Sequence, residues 1–298
     1  MLRRHIQLGG GRVKEVGLVG LGRMGGAMLA CLRAKGVQVL AHDVGDAACD
    51  AARAAGARLP GHVAGCAAPV VILSLPHAPA VAEVLAELLP AMPRGGVILD
   101  TSTISPGAAR GFAAEAAALG VAYLDAPVSG GPAGAAAGSL SMMLGGDATA
   151  LDTARPVLER IATRIMHVGG PGAGQVAKLA NNLLVATHLM AAAEALRMAA
   201  AAGVAPDALL PVINAASGRS AATEVNWPRW IAPGSFDSGF AAGLMRKDVR
   251  LALDLAAETG TPLSVCAAAA SLWEASPVPD DAEFNRVPAA LFEDRTHD

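Results

Sequence analysis

Aromatic residues are scarce in this 298-residue chain: three Trp, one Tyr and five Phe, 3% in all. That is too few for the stacking platforms on which single-stranded nucleic acids are held. Charge is scarce as well. Asp, Glu, Lys and Arg make up 16% and leave a formal net charge of −3. The basic balance that marks a nucleic-acid binder is missing, so no such partner is expected. Only four cysteines occur, Cys31, Cys49, Cys66 and Cys266, and no two form a CxxC pair. Without a histidine cluster beside them they speak against a zinc site or a disulfide framework, and scattered reduced thiols fit the cytoplasm. No uninterrupted apolar run reaches the roughly 18 residues of a membrane helix, so no span is expected. Residues 1–14 hold Arg3 and Arg4 but no apolar core segment. They read as a short disordered tail and not as a secretory signal.

What abounds is apolar surface. Hydrophobic residues make up 53% of the chain, many of them alanine, and the mean hydropathy is +0.43. Alanine favours helix and close packing. The length suits one large or two ordinary domains. From residue 15 the pattern alternates. EVGLV reads as a buried parallel strand, and the segment after Gly25 as a helix that Gly36 ends. Val37 to Ala41 is a second strand, closing at His42-Asp43. VVILSLP (70–76), GGVILDTST (95–103) and VAYLDAPVSGG (121–131) supply further strands. Helical segments fall at 81–89 and 109–120 between them. Strands alternating with helices imply a doubly wound, mostly parallel sheet with helices on both faces. Near Gly169 the pattern changes. GGPGAG (169–174) reads as a flexible joint by composition, and everything after it reads as helix. The expected domains are therefore 15–168, Rossmann-type α/β, and 169–298, all-α. No internal repeat is evident.

Gly20-Leu21-Gly22-Arg23-Met24-Gly25 lies between the first strand and the first helix. In that context Gly20 permits a tight turn, Gly22 lets the backbone approach a pyrophosphate, and Gly25 lets helix pack on strand. The helix N-terminus offers N–H groups to the phosphates. Asp43 closes the second strand about 20 residues after the loop, where a carboxylate accepts from the ribose hydroxyls and repels a 2′-phosphate. Val44 and Gly45 follow, with no arginine to receive such a phosphate. NAD is favoured over NADP. A plain glycine turn and a solvated strand-end Asp are the alternatives.

GLVGLGRMGGAML, DTSTISP (100–106), LDAPVSGGPAGAAAGSLSMMLGGD (124–147), GAGQVAKLANNLL (172–184) and FAAGLMRKDVRLAL (240–253) occur in this order, and DDAEFNRV (280–287) follows. Together they resemble the β-hydroxyacid dehydrogenase family, over nearly the whole chain after residue 15. The resemblance implies NAD-dependent interconversion of a small 3-hydroxy acid and its semialdehyde, with the active site in a cleft between the two domains. It implies that Lys178 is the catalytic acid/base, with Asn182 one helical turn on. Ser129, Gly130 and Gly131 would hold the substrate carboxylate. Thr103 would lie near nicotinamide and substrate. Leu75, Pro76 and Lys247 would contact the cofactor, and Asp248, the partner of Lys247 in the late Lys-Asp pair, would lie at the substrate.

The residue types suit that chemistry. Reducing a carbonyl by hydride builds negative charge on its oxygen, and a cationic proton donor stabilises it. Lys178 is the one charge in QVAKLANNLLVA; a snorkelling helix-side lysine is the bland alternative. Asn182 stands at i+4, on the same face. An Asn-Asn pair in mid-helix costs helix propensity, so local preference has yielded to something else. Small residues at 129–131 expose successive N–H groups, which suits an anion, although a tight turn after Pro127 reads the same way. His77 reads as a surface residue. Trp227 and Trp230 read as packing between helices. SGRS (217–220) resembles the 3-hydroxyisobutyrate dehydrogenase branch, whereas the continuation AATEVNWP departs from it and keeps tartronate semialdehyde open as the substrate. An imine reductase or a non-catalytic NAD-binding protein on the same fold is a further alternative, against which the intact Lys178 counts. No metal site is expected. The Ala-, Leu- and Met-rich helices after Gln175 are expected to make a homodimer or homotetramer interface.

Overall fold

A computed structural model describes residues 15–293. The expected N-terminal tail lies outside the described residues. Contacts divide the chain into two units between Gln175 and Val176.

The first unit is built on an eight-stranded sheet. Its strands are β1 (Glu15–Val19), β2 (Gln38–His42), β3 (Val70–Leu73), β4 (Val97–Asp100), β5 (Ala122–Asp125), β6 (Val128–Ser129), β7 (Leu140–Gly145) and β8 (Ala162–Gly169). The order is β2-β1-β3-β4-β5-β7-β6, with β8 also paired to β7. The first five strands run parallel, β7 runs antiparallel to β5 and β6, and β8 runs parallel to β7. The sheet is thus mixed at one end. Its helices are α1 (Arg23–Ala34), α2 (Asp46–Ala54), α3 (Ala78–Leu88), α4 (Pro106–Ala118), α5 (Gly131–Ala137) and α6 (Ala148–Ile161).

Strand alternation sorts the core into two layers. Val16, Leu18, Val70, Ile72, Val97 and Leu99 pack with α1 and α6. Val71, Leu73, Ile98 and Tyr123 point the other way and pack with α3 and α4. Both faces are covered, which is why β1, β3 and β4 read as near-continuous apolar runs.

α7 (Ala173–Ala201) runs from the first unit into the second. It is followed by α8 (Pro206–Ala215), a π-helical stretch (Ala222–Ile231), α9 (Ala242–Thr259), α10 (Ser264–Ala275) and α11 (Arg286–Glu293). Leu179, Leu183, Leu189, Met190 and Leu196 of α7 pack with Trp227, Met245, Val249 and Trp273 in one core. Among the described residues one helix is long and apolar enough to cross a membrane by length and composition alone. That helix is α7, with 29 residues and an 18-residue window of mean hydropathy 1.3. Buried Lys178 and Asn182 within it, and the packed leucines, mark it as a core helix of this unit.

The joint at 169–174 also differs from expectation. Composition reads it as flexible, but the Asp125 carboxylate, at the end of β5, holds it. Oδ1 accepts from the Gly172 N–H at 2.7 Å and Oδ2 from the Gln175 N–H at 2.9 Å.

Candidate functional site

Each predicted contact in the first unit follows the carboxyl end of a strand. The glycine loop follows β1, Asp43 follows β2, Leu75-Pro76 follows β3, Thr103 follows β4, and Ser129-Gly130-Gly131 follows β5 and β6. In an open α/β sheet this is the edge that binds ligands.

The glycine loop fits a dinucleotide. A Cβ on Gly25 would stand 1.8 Å from the Gly20 carbonyl oxygen, so only glycine lets α1 start there. Gly20 has φ +92°, and a Cβ on it would stand 2.3 Å from the Ser74 oxygen. Around Gly22 there is open space within 4 Å, the clearance a pyrophosphate needs. α1 begins at Arg23 with neither a side-chain cap nor an acidic residue in its first turn, leaving its dipole end to an external anion.

Asp43 is already engaged. Its Oδ2 accepts from the Leu21 N–H at 2.6 Å, and Oδ1 accepts from the Gly45 N–H at 2.8 Å. The carboxylate therefore shapes the loop from behind. Each oxygen keeps a second lone pair for a ribose hydroxyl. Val44 beside it is exposed.

After β4 the chain is held tightly. The Thr101 hydroxyl donates to the Leu73 carbonyl at 2.7 Å, and the Ser102 hydroxyl accepts from the Leu75 N–H at 2.9 Å. The Ser102 N–H donates to Asp100 Oδ1 at 2.9 Å, and the Tyr123 hydroxyl donates to Asp100 Oδ2 at 2.5 Å. Asp100 and Asp125 are register neighbours on β4 and β5, both fully buried. Burial pushes the Asp100 carboxyl up to about 6, against its hydrogen bonds, and pushes Asp125 up as well. Gly130, between β6 and α5, takes φ +122°, and Gly131, the first residue of α5, takes φ +62°. That left-handed pair turns the chain at the predicted anion loop.

The second unit gathers Lys178, Asn182, Lys247 and Asp248. α7 carries the first two on one face, and α9 carries the others. Asn182 Nδ2 donates to Asp248 Oδ2 at 2.7 Å, and Lys247 Nζ lies 3.4 Å from Asp248 Oδ1. Asn181 Nδ2 donates to Asn182 Oδ1 at 3.0 Å, which fixes the orientation of the Asn182 amide. Lys178 is 8% exposed. Burial lowers its pKa below the ordinary lysine value; the Asp248 charge opposes the change and the Lys247 charge adds to it. Burial also raises the Asp248 carboxyl, against both lysines and the Asn182 bond. Arg246, next to the pair, holds α9 in place. Its guanidinium donates to the carbonyls of Trp273, Ser276 and Val278 and to Asp280.

Other sequence features take structural roles. His77 caps α3 by accepting from the Ala80 N–H. Trp227 is buried edge-on against Phe292, and Trp230 lies under the Arg229 guanidinium. Arg219 of SGRS is exposed, while Ser220 caps the turn through Thr223. Asn285, in the last motif, is buried and accepts from Asn226 Nδ2 at 2.8 Å. Among the described residues no group of three His, Cys, Asp or Glu is placed to hold a metal. The sequence reading passed over Asp100, Tyr123, Asp125 and Gln175. Their available signal was an aspartate ending each of two apolar strands.

Two family models match the chain. The NAD binding domain of 6-phosphogluconate dehydrogenase matches residues 15–169, and the NAD-binding domain of NADP-dependent 3-hydroxyisobutyrate dehydrogenase matches residues 172–283. The chain is 38% identical over 265 residues to 2-(hydroxymethyl)glutarate dehydrogenase of Eubacterium barkeri, covering 87% of this chain and 88% of that protein. It is 39% identical over 272 residues to the NAD-dependent L-serine dehydrogenase of Pseudomonas aeruginosa, covering 88% and 91%. Among solved structures, 3-hydroxyisobutyrate dehydrogenase of Mycobacterium tuberculosis with L-serine superposes with a TM-score of 0.89 at 36% identity, covering 94% and 99%.

Proposed function

Because the chain belongs to the β-hydroxyacid dehydrogenase family and is an NAD-dependent oxidoreductase of hydroxy acids, we propose that it interconverts a 2-substituted 3-hydroxypropanoate and its semialdehyde. The relatives' named substrates share one core, HOCH2–CH(X)–COO⁻. X is methyl in 3-hydroxyisobutyrate, ammonium in serine and a carboxyethyl group in 2-(hydroxymethyl)glutarate. 3-Hydroxyisobutyrate leads, and tartronate semialdehyde, with X a hydroxyl, is the nearest rival.

The observation that carries the reading is buried Lys178, its pKa lowered, beside the Asn182–Asp248 pair. In the oxidation direction the neutral amine takes the substrate hydroxyl proton while the hydrogen on C3 leaves with its electron pair. The glycine loop at 20–25 and Asp43 would hold NAD, which would supply the hydride acceptor. In reverse, the ammonium donates its proton to the oxygen on which negative charge develops. Asn182, oriented by Asp248 and Asn181, holds the lysine or a substrate oxygen. The backbone N–H groups at 129–131 hold the carboxylate. Thr103, Leu75, Pro76 and Lys247 contact the cofactor. In this reading residues 15–168 serve the dinucleotide and residues 169–298 serve the substrate and subunit contacts.

We also assign the protein to the cytoplasm as a homodimer or homotetramer. Supporting the assembly, α7 exposes Val176, Leu184 and Met198, with Met198 71% exposed. The test of function is NAD-dependent oxidation of 3-hydroxyisobutyrate, serine, 2-(hydroxymethyl)glutarate and glycerate, with NADH-dependent reduction of tartronate semialdehyde alongside. Turnover of at least one is expected. Turnover of none, with imines reduced instead, overturns the reading.

A further inference from the structure

Gln175 is fully buried, and its side-chain amide serves one short segment twice. Nε2 donates to the Ser102 carbonyl at 2.8 Å, and Oε1 accepts from the Ile104 N–H at 3.1 Å. These are the backbone groups on either side of Thr103. In a sheet, a neighbouring strand would satisfy such a pair. Here one planar amide does so, past the end of β4, where the strand ladder has stopped. The Gln175 backbone N–H is itself fixed by Asp125 Oδ2. The side chain therefore ties the segment bearing Thr103 to the first turn of α7, three residues before Lys178.

We propose that Gln175 is a positioning residue, whose amide sets the backbone on either side of Thr103 at the start of α7. This rests on the reading of Thr103 as a nicotinamide neighbour and of Lys178 as acid/base. The site requires a donor and an acceptor on one planar group. An ionised Glu lacks the donor and would be buried in a segment that already holds the carboxyls of Asp125, bonded to the residue 175 N–H, and Asp100, bonded to the Ser102 N–H. Met fills the volume with neither function, leaving a buried carbonyl and N–H unpaired.

Three measurements on the full chain test the assignment. The first compares binding of NADH with binding of ADP-ribose, which lacks the nicotinamide. In Gln175→Met, ADP-ribose affinity should match wild type while NADH affinity falls roughly fivefold or more, because only the nicotinamide end is disturbed. The second is turnover of the best substrate. kcat should fall roughly 10- to 100-fold with little change in KM, the cost of a reacting geometry lost by an ångström or less. The third is Gln175→Glu across pH. A neutral carboxylic acid both donates and accepts, so the ratio of its kcat to that of wild type should rise as pH falls. Taking the ratio cancels the titration of Asp100 and Asp125 common to both.

Gln175→Met with NADH affinity and kcat within twofold of wild type overturns the proposal and leaves the amide a stability element only. If Gln175→Met does not fold, a Gln175→Glu ratio that is flat in pH overturns it alone. Failure of the underlying reading looks different. Lys178→Ala would keep its rate, while the NADH against ADP-ribose comparison would still decide the role of Gln175.

Discussion

Burying an ammonium costs several kcal/mol in a folded chain unless something repays it. Lys178 is buried on α7, with the Asp248 charge opposing the lowering of its pKa. A buried lysine so perturbed is the kind of group a proton-transfer site uses. Lys178→Ala should lower kcat by roughly 10²–10⁴, the usual share of general acid–base catalysis, or more, because charge stabilisation is lost too. Lys178→Arg should not rescue it, since guanidinium stays protonated. Oxidation needs the neutral amine, so its rate should rise with pH through a pKa below that of a free lysine. Reduction needs the ammonium and should fall through the same window. Both dependences should vanish in Lys178→Ala, and a variant keeping more than a tenth of wild-type kcat would make the lysine structural. Asp43 carries a second expectation. Asp43→Asn with Val44→Arg should move kcat/KM toward NADP. It should also weaken both cofactors, because the amide has one acceptor where the carboxylate uses two, on Leu21 and Gly45. Unchanged preference in that double variant would show that ribose recognition lies elsewhere.

At the scale of elements, legibility followed contrast. β1 with its glycine loop and α1 stood out because three glycines at fixed spacing sit where an apolar run gives way to a 3.6-residue period. β7, LSMMLG, lies inside the 124–147 motif, beyond the last strand expected from the sequence. β8 was hidden because most of ATRIMHVG is exposed and shows no alternation. The tight joint before α7 was illegible for another reason. What fixes Gly172 and Gln175 is Asp125, some 50 residues earlier, and no local pattern reports a contact that distant. Lys178 and Asn182 were legible as a pair at i+4, but their tie to Asp248 on α9 appears only once the helices pack. The β6–α5 turn holds the element-scale prediction. Gly130 has φ +122°, where a β-branched residue is strained, and a Cβ there would also meet Leu140 at 3.4 Å. Gly130→Val should raise KM for the acid about tenfold or more by re-aiming the N–H groups of the turn, with NADH affinity nearly unchanged. Equal turnover of the acid and its methyl ester by wild type would refute carboxylate recognition at this turn.

Two properties belong to the whole molecule. The first is assembly. α7 leaves Leu184 52% and Met198 71% exposed, apolar surface of the kind that a second copy covers. Leu184→Glu with Met198→Glu should reduce the mass seen by sedimentation at micromolar concentration without unfolding the chain, and a wild type that sediments as a monomer would end the idea. The second is the response of stability to pH, which here runs against the common pattern. Most paired carboxylates, such as Glu274 held down by Arg250, lend stability that is lost on acidification, and this exposed pair lends little. Asp100 does the opposite. Its carboxyl titrates near 3.8 unfolded and at about 6 folded, because burial penalises the charge more than Tyr123 and Ser102 relieve it. The folded state thus holds the proton more tightly. That contribution is complete below pH 3.8 and is lost as pH rises through 6, a difference of about 3 kcal/mol. Asp125, also raised, acts in the same sense. Asp100→Asn keeps an acceptor for the Ser102 N–H and presents an N–H to the Tyr123 oxygen, so it fits the same bonds without a charge to bury. Its Tm should exceed that of wild type at pH 7.5 and converge with it near pH 4. Calorimetry of both proteins at the two pH values decides the matter. Equal Tm differences at both would mean that Asp100 does not change its protonation across this range.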